Sequence, residues 1–209
     1  TTTIHSIAQE FGITIKNILS EQPIAGSPER VLFRVVVEDN AQQLFVIEGA
    51  AEQRRRRKEQ IANTLLFLSE QQTPAVFPHR KTIAGAQVLM RDHYCWQARP
   101  YVSGDTLPRP MYLYDAWRGT DLARFLAALK KATQNNSPVP SHERFHLGSY
   151  ITALVRLVRI HNPEVYNELS FALSFLDRYF HRVYEALPVG FCHGDYHVLN
   201  VIWDKRSIK

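Results

Sequence analysis

The chain has 209 residues, 45% of them hydrophobic and 11% aromatic, with a formal charge of +5. That much apolar material fills one large domain or two small lobes and excludes general disorder. No apolar run approaches the roughly 18 residues of a membrane-crossing helix. Thr1-Thr2-Thr3-Ile4-His5 also lacks the basic-then-apolar pattern of a secretory leader, so a cytoplasmic, non-membrane protein is expected. The chain does not begin with Met, which reads as processing or trimming. Its two cysteines, Cys95 and Cys192, lie far apart beside aromatic residues and read as buried thiols of a reducing compartment.

Thr3 is placed to cap a short amphipathic helix through Phe11, which Gly12 would end. Strand-like segments follow at 13–23, 31–37 and 44–47. Ala25-Gly26-Ser27-Pro28 and Glu38-Asp39-Asn40-Ala41 are the turn-forming connectors between them. A helix is predicted over 52–71, with Ile61, Leu65, Leu66 and Leu68 at helical spacing. The basic run Arg54-Arg55-Arg56-Arg57-Lys58 reads as its solvated first turn, which could also draw in an anionic ligand. No aromatic stacking motif or Gly-rich RNA signature accompanies the run, so nucleic acid is not the expected partner. After Pro74 and Pro78 come two more strands, at 88–90 and 94–98.

Residues 1–99 thus read as an N-terminal lobe of about five strands and one long helix, and 100–105 as a hinge or linker. Residues 106–209 read as a helical C-terminal lobe. Within it, 121–133 is a helix with Leu122, Phe125, Leu126 and Leu129 on one face, followed by a polar loop at 134–140. Ser141 is the expected cap of a helix reaching about His161. Another is opened by Pro163 or Glu164 and stopped near Leu187 by Pro188 and Gly190. A β-rich front and an α-rich back predict an α+β fold of two lobes, an antiparallel sheet plus helix followed by a mainly helical lobe.

The motif that carries chemistry is His193-Gly194-Asp195-Tyr196-His197-Val198-Leu199-Asn200. It sets an Asp and an Asn five positions apart, with a His two residues before the Asp. The protein-kinase catalytic loop has this spacing; there the Asp receives the substrate hydroxyl's proton and the Asn holds a metal ion. Two other readings stand beside it. Asp195 could simply accept backbone N–H bonds in a loop. Alternatively His193, Asp195 and His197 could point the same way along an extended segment and ligate a metal, as in a metal-dependent hydrolase. The remaining histidines make no partner motif for that; His142 and His146, four apart on a predicted helix, read as a solvated face.

His-Gly-Asp-x-His-x-x-Asn followed by Val201-Ile202-Trp203 resembles the signature of the aminoglycoside phosphotransferase and choline kinase group, small-molecule kinases with a protein-kinase-like fold. Trp96-Gln97-Ala98-Arg99-Pro100-Tyr101-Val102-Ser103-Gly104 is similar to that family's strand, hinge and Gly, and the order of lobes agrees over nearly the whole chain. The resemblance implies transfer of the γ-phosphoryl group of ATP or GTP, with Mg²⁺, to a hydroxyl of a small molecule, the nucleotide lying between the lobes. It implies Asp195 as the catalytic carboxylate, Asn200 as a metal ligand, and His193 and His197 as braces of the loop. The Pro100 carbonyl and the Val102 N–H would hold adenine, and Gly26-Ser27 would be the phosphate-covering turn.

Two departures accompany the resemblance. The third strand carries Glu48 where the family has a phosphate-reaching Lys; Arg34 or an Arg of the 54–57 run is the expected substitute. The family's second metal-binding Asp would fall just past Lys209, and 203–209 reads as a strand, a turn and the start of a returning strand. A catalytically impaired nucleotide-binding or interaction relative is therefore the alternative to a kinase. Trp96 and Tyr101 read as packing aromatics, Asp115 and Trp117 as helix entry or acceptor contacts, and His161 as a packed core residue. The acceptor is open among sugars, homoserine-like molecules and other small alcohols; the basic composition gives no sign of an acidic, aminoglycoside-binding lining.

Overall fold

Alternating apolar residues in the first hundred positions build five antiparallel strands in a computed structural model that describes residues 4–24, 31–107, 110–140 and 143–209. The strands are β1 (Ile15–Leu19), β2 (Phe33–Asp39), β3 (Leu44–Ala51), β4 (Leu89–Arg91) and β5 (Tyr94–Pro100), in the order β1-β2-β3-β5-β4. The central strand β3 is buried on both faces, and its register decides which residues share a side. Ile47 lies opposite Val35 and Ala98, whereas Glu48 lies opposite Arg34 and Gln97. Successive side chains alternate across a strand, so the sheet has one apolar face and one mixed face.

Helix α1 (Ile4–Glu10) covers the apolar face. Its Ile7 and Ala8, with Phe11 and Ile13 just beyond, pack against Val37, Phe45, Ile47, Trp96 and Ala98. Each fully buried aliphatic or aromatic side chain there contributes about 1.5–3 kcal/mol. Gly12, at φ +67°, turns the chain out of the helix as the sequence predicted. Arg80 fastens this turn, donating from Nε to the Phe11 carbonyl at 2.6 Å while its guanidinium lies over the Phe45 ring. The predicted cap Thr3 lies outside the described residues.

Helix α2 (Arg55–Glu70) lies by the mixed face, preceded by a 3₁₀ turn at Glu52–Arg54. Gln97 donates to the Lys58 carbonyl on it at 3.3 Å. The helix buries Ala62 and Leu68, while Ile61, expected on its apolar stripe, is exposed. Cys95 is buried on this face with its thiol directed at the Ala50 and Ala51 carbonyls, and burial pushes its pKa up. The matching expectation for Cys192 fails, because that residue is exposed.

Helix α3 (Ala116–Thr133) begins five residues before the predicted start. Asp115 explains this: its carbonyl accepts the Arg118 N–H and its carboxylate pairs with the Arg118 side chain at 3.0 Å. The Arg118 guanidinium lies over the rings of both Trp117 and Trp203, which meet edge to face. Trp117 is thus a packing residue. The end of the chain forms a small hairpin of β6 (Trp203–Asp204) and β7 (Ser207–Ile208), as predicted. The Ile208 N–H donates to Asp121 of α3.

Contacts divide the chain into two compact units, Thr1–Pro138 with Phe191–Lys209 in one and Val139–Gly190 in the other. The second unit is helical. Helix α4 (Leu147–His161) is capped by the His146 imidazole, which accepts the Ser149 N–H at 3.1 Å; Ser141 lies outside the described residues. His161, expected in a core, is exposed, because it ends α4 just before Asn162. The single helix predicted to about Leu187 is instead α5 (Pro163–Glu168), α6 (Ser170–Phe175), a π turn at Leu176–Phe180 and α7 (His181–Glu185). The Ser174 hydroxyl bonds back to the Ser170 carbonyl, a contact that bends helices. No described helix is long and apolar enough to cross a membrane.

Gly49 marks the tightest point of the sheet, since a Cβ there would stand 2.8–3.0 Å from three atoms of the Trp96 ring. Gly49→Ala is expected to destabilise the fold by roughly 1–3 kcal/mol, as overpacking does. A lower urea midpoint at unchanged slope is the expected result.

Candidate active site

The octad folds into a tight exposed loop whose polar groups face one another. Gly194 takes φ +86°, a backbone conformation open to glycine, and brings Asp195 round. Asn200 then returns to it: its Nδ2 donates to the Asp195 carboxylate at 2.8 Å and to the Asp195 carbonyl at 2.9 Å. His197 stands on the other side, its Nε2 3.5 Å from the second carboxylate oxygen. The His197 Nδ1 accepts the Leu199 N–H at 3.2 Å and caps the 3₁₀ turn Val198–Asn200. That contact leaves the ring proton on Nε2, facing Asp195. His193 accepts the Asp195 N–H at 3.4 Å through its own Nδ1. The Asp195 side chain is itself 73% exposed.

Two aromatic residues fix this loop to the rest of its unit. Tyr196 stacks on Phe125 of α3 and donates to the Leu122 carbonyl at 3.3 Å. Burial, with the charge of Asp121 second, pushes its hydroxyl up to about 12, so it stays a donor. Trp203, almost wholly buried, donates from its indole to the Val198 carbonyl at 2.8 Å.

The 100–105 segment reaches the same place. The Asp105 N–H donates to the Trp203 carbonyl at 2.7 Å, and the Asp105 carboxylate accepts the Lys205 N–H at 2.6 Å. Gly104 sits so close that a Cβ would run into Ile202 and stand 2.8 Å from the Trp203 carbonyl oxygen. Upstream, the Tyr101 N–H donates to Leu44 of β3. In extended antiparallel backbone, neighbouring residues direct their amide groups to opposite edges. The Pro100 carbonyl, trans to the Tyr101 N–H in the same peptide plane, therefore faces away from β3, toward the edge where the Ala98 carbonyl accepts the Arg80 N–H. Trp96 is buried in the sheet and the Tyr101 hydroxyl donates to the Pro23 carbonyl, so both act in packing. Gly26 and Ser27 lie outside the described residues.

Glu48 is not the repulsive group its position suggested. Its buried carboxylate holds Arg34 at 2.9 Å, Lys58 at 3.5 Å and Arg99 at 3.6 Å. Burial opposes its ionisation, but Lys58, Arg99 and Arg34 together outweigh that and hold the carboxyl below its ordinary range. Arg34, one of the two expected substitutes, is here; Arg54 to Arg57 are exposed, and Arg55 pairs with Glu59 along its own helix. Sequence reasoning missed Lys58, Arg99, Gln97 and His79. The available signal was the spacing Lys58, Ala62, Leu65, one stripe of α2 that faces the sheet.

Residues 28–209 match the profile of the family described as "APH: Phosphotransferase enzyme family". The chain belongs to that family. No curated protein matches it. Among solved structures it is similar to spectinomycin phosphotransferase in complex with ADP and spectinomycin, at 15% identity and a TM-score of 0.60, covering 97% of this chain and 64% of that one. An aminoglycoside phosphotransferase from Alicyclobacillus acidocaldarius gives 15% identity and a TM-score of 0.54, covering 90% and 65%. Amicoumacin kinase hAmiN in complex with AMP-PNP, Ca²⁺ and Ami gives 16% and 0.56, covering 88% and 58%. The chain spans less than two thirds of the length of these proteins, and the likeness establishes a protein-kinase-like α+β fold.

Among the described residues of this phosphotransferase-family chain, no three His, Cys, Asp or Glu side chains are grouped to hold a metal ion, so His193, Asp195 and His197 do not form the hydrolase-type metal site. Both contacts from Asn200 to Asp195 use its Nδ2, which directs the side-chain oxygen elsewhere. The two imidazoles turn Nδ1 onto backbone N–H groups of the loop. A concave surface of about 830 Å³ runs along α4, lined by residues such as His146, Ser149 and Arg156, and none of the motif residues line it.

His79, buried against Gln97 beside the Glu48 cluster, gives a pH signature. Burial, with Lys58 and Arg99 adding to it and Glu48 opposing, lowers its pKa from 6.5 to about 4. The unfolded chain therefore takes up this proton first as pH falls. The contribution is complete above about pH 6.5 and is lost toward pH 4, about 3 kcal/mol in all. Denaturation at stepped pH should show His79→Gln losing less stability than wild type across that window.

Proposed function

We propose that this chain is an ATP-dependent phosphotransferase that moves the γ-phosphoryl group to a hydroxyl of a small molecule, with Asp195 as the proton acceptor. The observation that carries this reading is the Asp195 carboxylate, open to solvent yet held on one oxygen by Asn200 and approached on the other by His197. A carboxylate so placed orients an incoming hydroxyl and takes its proton as the oxygen bonds to phosphorus. The bond from the γ-phosphorus to the bridging oxygen breaks, and the nucleoside diphosphate leaves with that electron pair. Asn200 would hold Mg²⁺ through its side-chain oxygen, and the ion when bound neutralises phosphate charge. The Pro100 carbonyl and Val102 N–H would grip the adenine edge, and the turn at Gly26-Ser27 would cover the phosphates.

The acceptor belongs to the small hydroxylated molecules. The solved neighbours were obtained with spectinomycin and amicoumacin, which makes those two compounds members of a test panel alongside sugars and amino alcohols. A nucleotide-binding relative without turnover is the other reading, motivated by Glu48 on β3 where a phosphate-reaching lysine was expected.

Nucleotide consumption over that panel is the test, with Asp195→Asn as its partner. The variant should keep its fold and nucleotide affinity while kcat falls roughly 10²- to 10⁴-fold. Wild-type turnover that survives the substitution would remove Asp195 from this role, and nucleotide binding without turnover on any acceptor would favour the non-catalytic reading.

A further inference from the structure

The mixed face of the sheet holds more cation than one carboxylate can satisfy. Lys58 and Arg99 each make a long ion pair with Glu48, at 3.5 and 3.6 Å, while the short 2.9 Å contact goes to Arg34. Among the described residues Glu48 is the one carboxylate that Lys58 and Arg99 reach. An ammonium has three N–H donors, and among the described residues the side chain of Lys58, 18% exposed, meets a single acceptor. Two positive groups sharing one anion in a poorly solvated place attract a second anion. The opposite face is apolar and lies beneath α1, so a charged ligand of the sheet is received on this side.

Position narrows the ligand. Arg99 immediately precedes Pro100, and Glu48 lies opposite Gln97, three residues back along β5. At roughly 3.3 Å per residue, the cluster lies about 10 Å along the strand from the 100–102 segment. A nucleotide with its base at 100–102 and its phosphates toward the cluster spans such a distance. Protein kinases use an ion pair in this part of the fold, with lysine on the third strand and glutamate on the helix. Here the polarity is reversed, with Glu48 on β3 and Lys58 on α2.

We propose that Lys58, carried on α2 and steered by Glu48, is the group that binds the nucleotide's phosphates, with Arg99 as a second contact. This rests on the nucleotide-binding reading above. Glu48 is then a positioning residue rather than a misplaced anion.

The test compares ADP with adenosine, by calorimetry on the 209-residue chain. Lys58→Met keeps the aliphatic stem and removes the charge; it should weaken ADP roughly ten- to hundredfold while adenosine binds as in wild type. Lys58→Arg should recover much of the ADP affinity, and Arg55→Ala, on the exposed side of the same helix, should change neither ligand. Thermal melts of each variant separate loss of fold from loss of phosphate contact, and Lys58→Arg remains informative if Lys58→Met unfolds. Equal ADP affinity in wild type and Lys58→Met, or equal losses for ADP and adenosine, would overturn the assignment while leaving nucleotide binding intact. Failure of the wild-type chain to bind either ligand would instead overturn the nucleotide reading, and this inference with it.

Discussion

One buried carboxylate organises the mixed face of the sheet in this protein. Glu48 lies on the central strand, opposite Arg34 and Gln97, and draws Lys58 from α2 and Arg99 from β5 toward one point. A buried charge is stable only when paired and hydrogen-bonded, and removing one partner of such a network costs about 3–5 kcal/mol. The network therefore fixes where the first turns of α2 lie against the sheet, and the Gln97 bond to the Lys58 carbonyl fixes the same place from the backbone. Nearby, burial lowers the pKa of His79 to about 4, with Glu48 opposing and Lys58 and Arg99 adding to the shift.

A second set of contacts relates the segment after β5 to the loop that carries Asp195. Asp105 bonds to the backbone of Trp203 in β6 and of Lys205 at the start of the hairpin turn, and Gly104 has no room for a side chain against Ile202 and Trp203. Trp203 in turn holds Val198, and Tyr196 holds α3. The carboxylate of Asp195 is thus exposed but supported by groups that are buried or backbone-bonded. Side chains held by contacts of this kind have their geometry set in advance by the surrounding fold.

Much of this was legible in the sequence. Five strands, a long helix and a terminal hairpin follow from period-two and helical patterns with glycine, proline and Asx punctuation. The octad's spacing brings Asn200, His193 and His197 into contact with Asp195, since five residues of loop can close on themselves. What the sequence hid depends on register. Glu48 reads as an isolated anion until β2 and β5 are aligned beside β3, and Lys58 reads as one of five surface cations until α2 is turned against the sheet. Ile61 and His161 failed because a stripe of apolar residues does not say which edge of it meets a partner. The break in the 163–185 helices involves a serine back-bond, a weak signal beside good helix formers.

The most direct test is a crystal structure of the chain with ADP and Mg²⁺. The expected result places the adenine edge on the Pro100 carbonyl and Val102 N–H. It also places a phosphate oxygen within a hydrogen bond, about 2.7–3.2 Å, of the Lys58 ammonium, with Glu48 still paired to that lysine. A nucleotide bound with its phosphates away from both Lys58 and Arg99 would contradict the account.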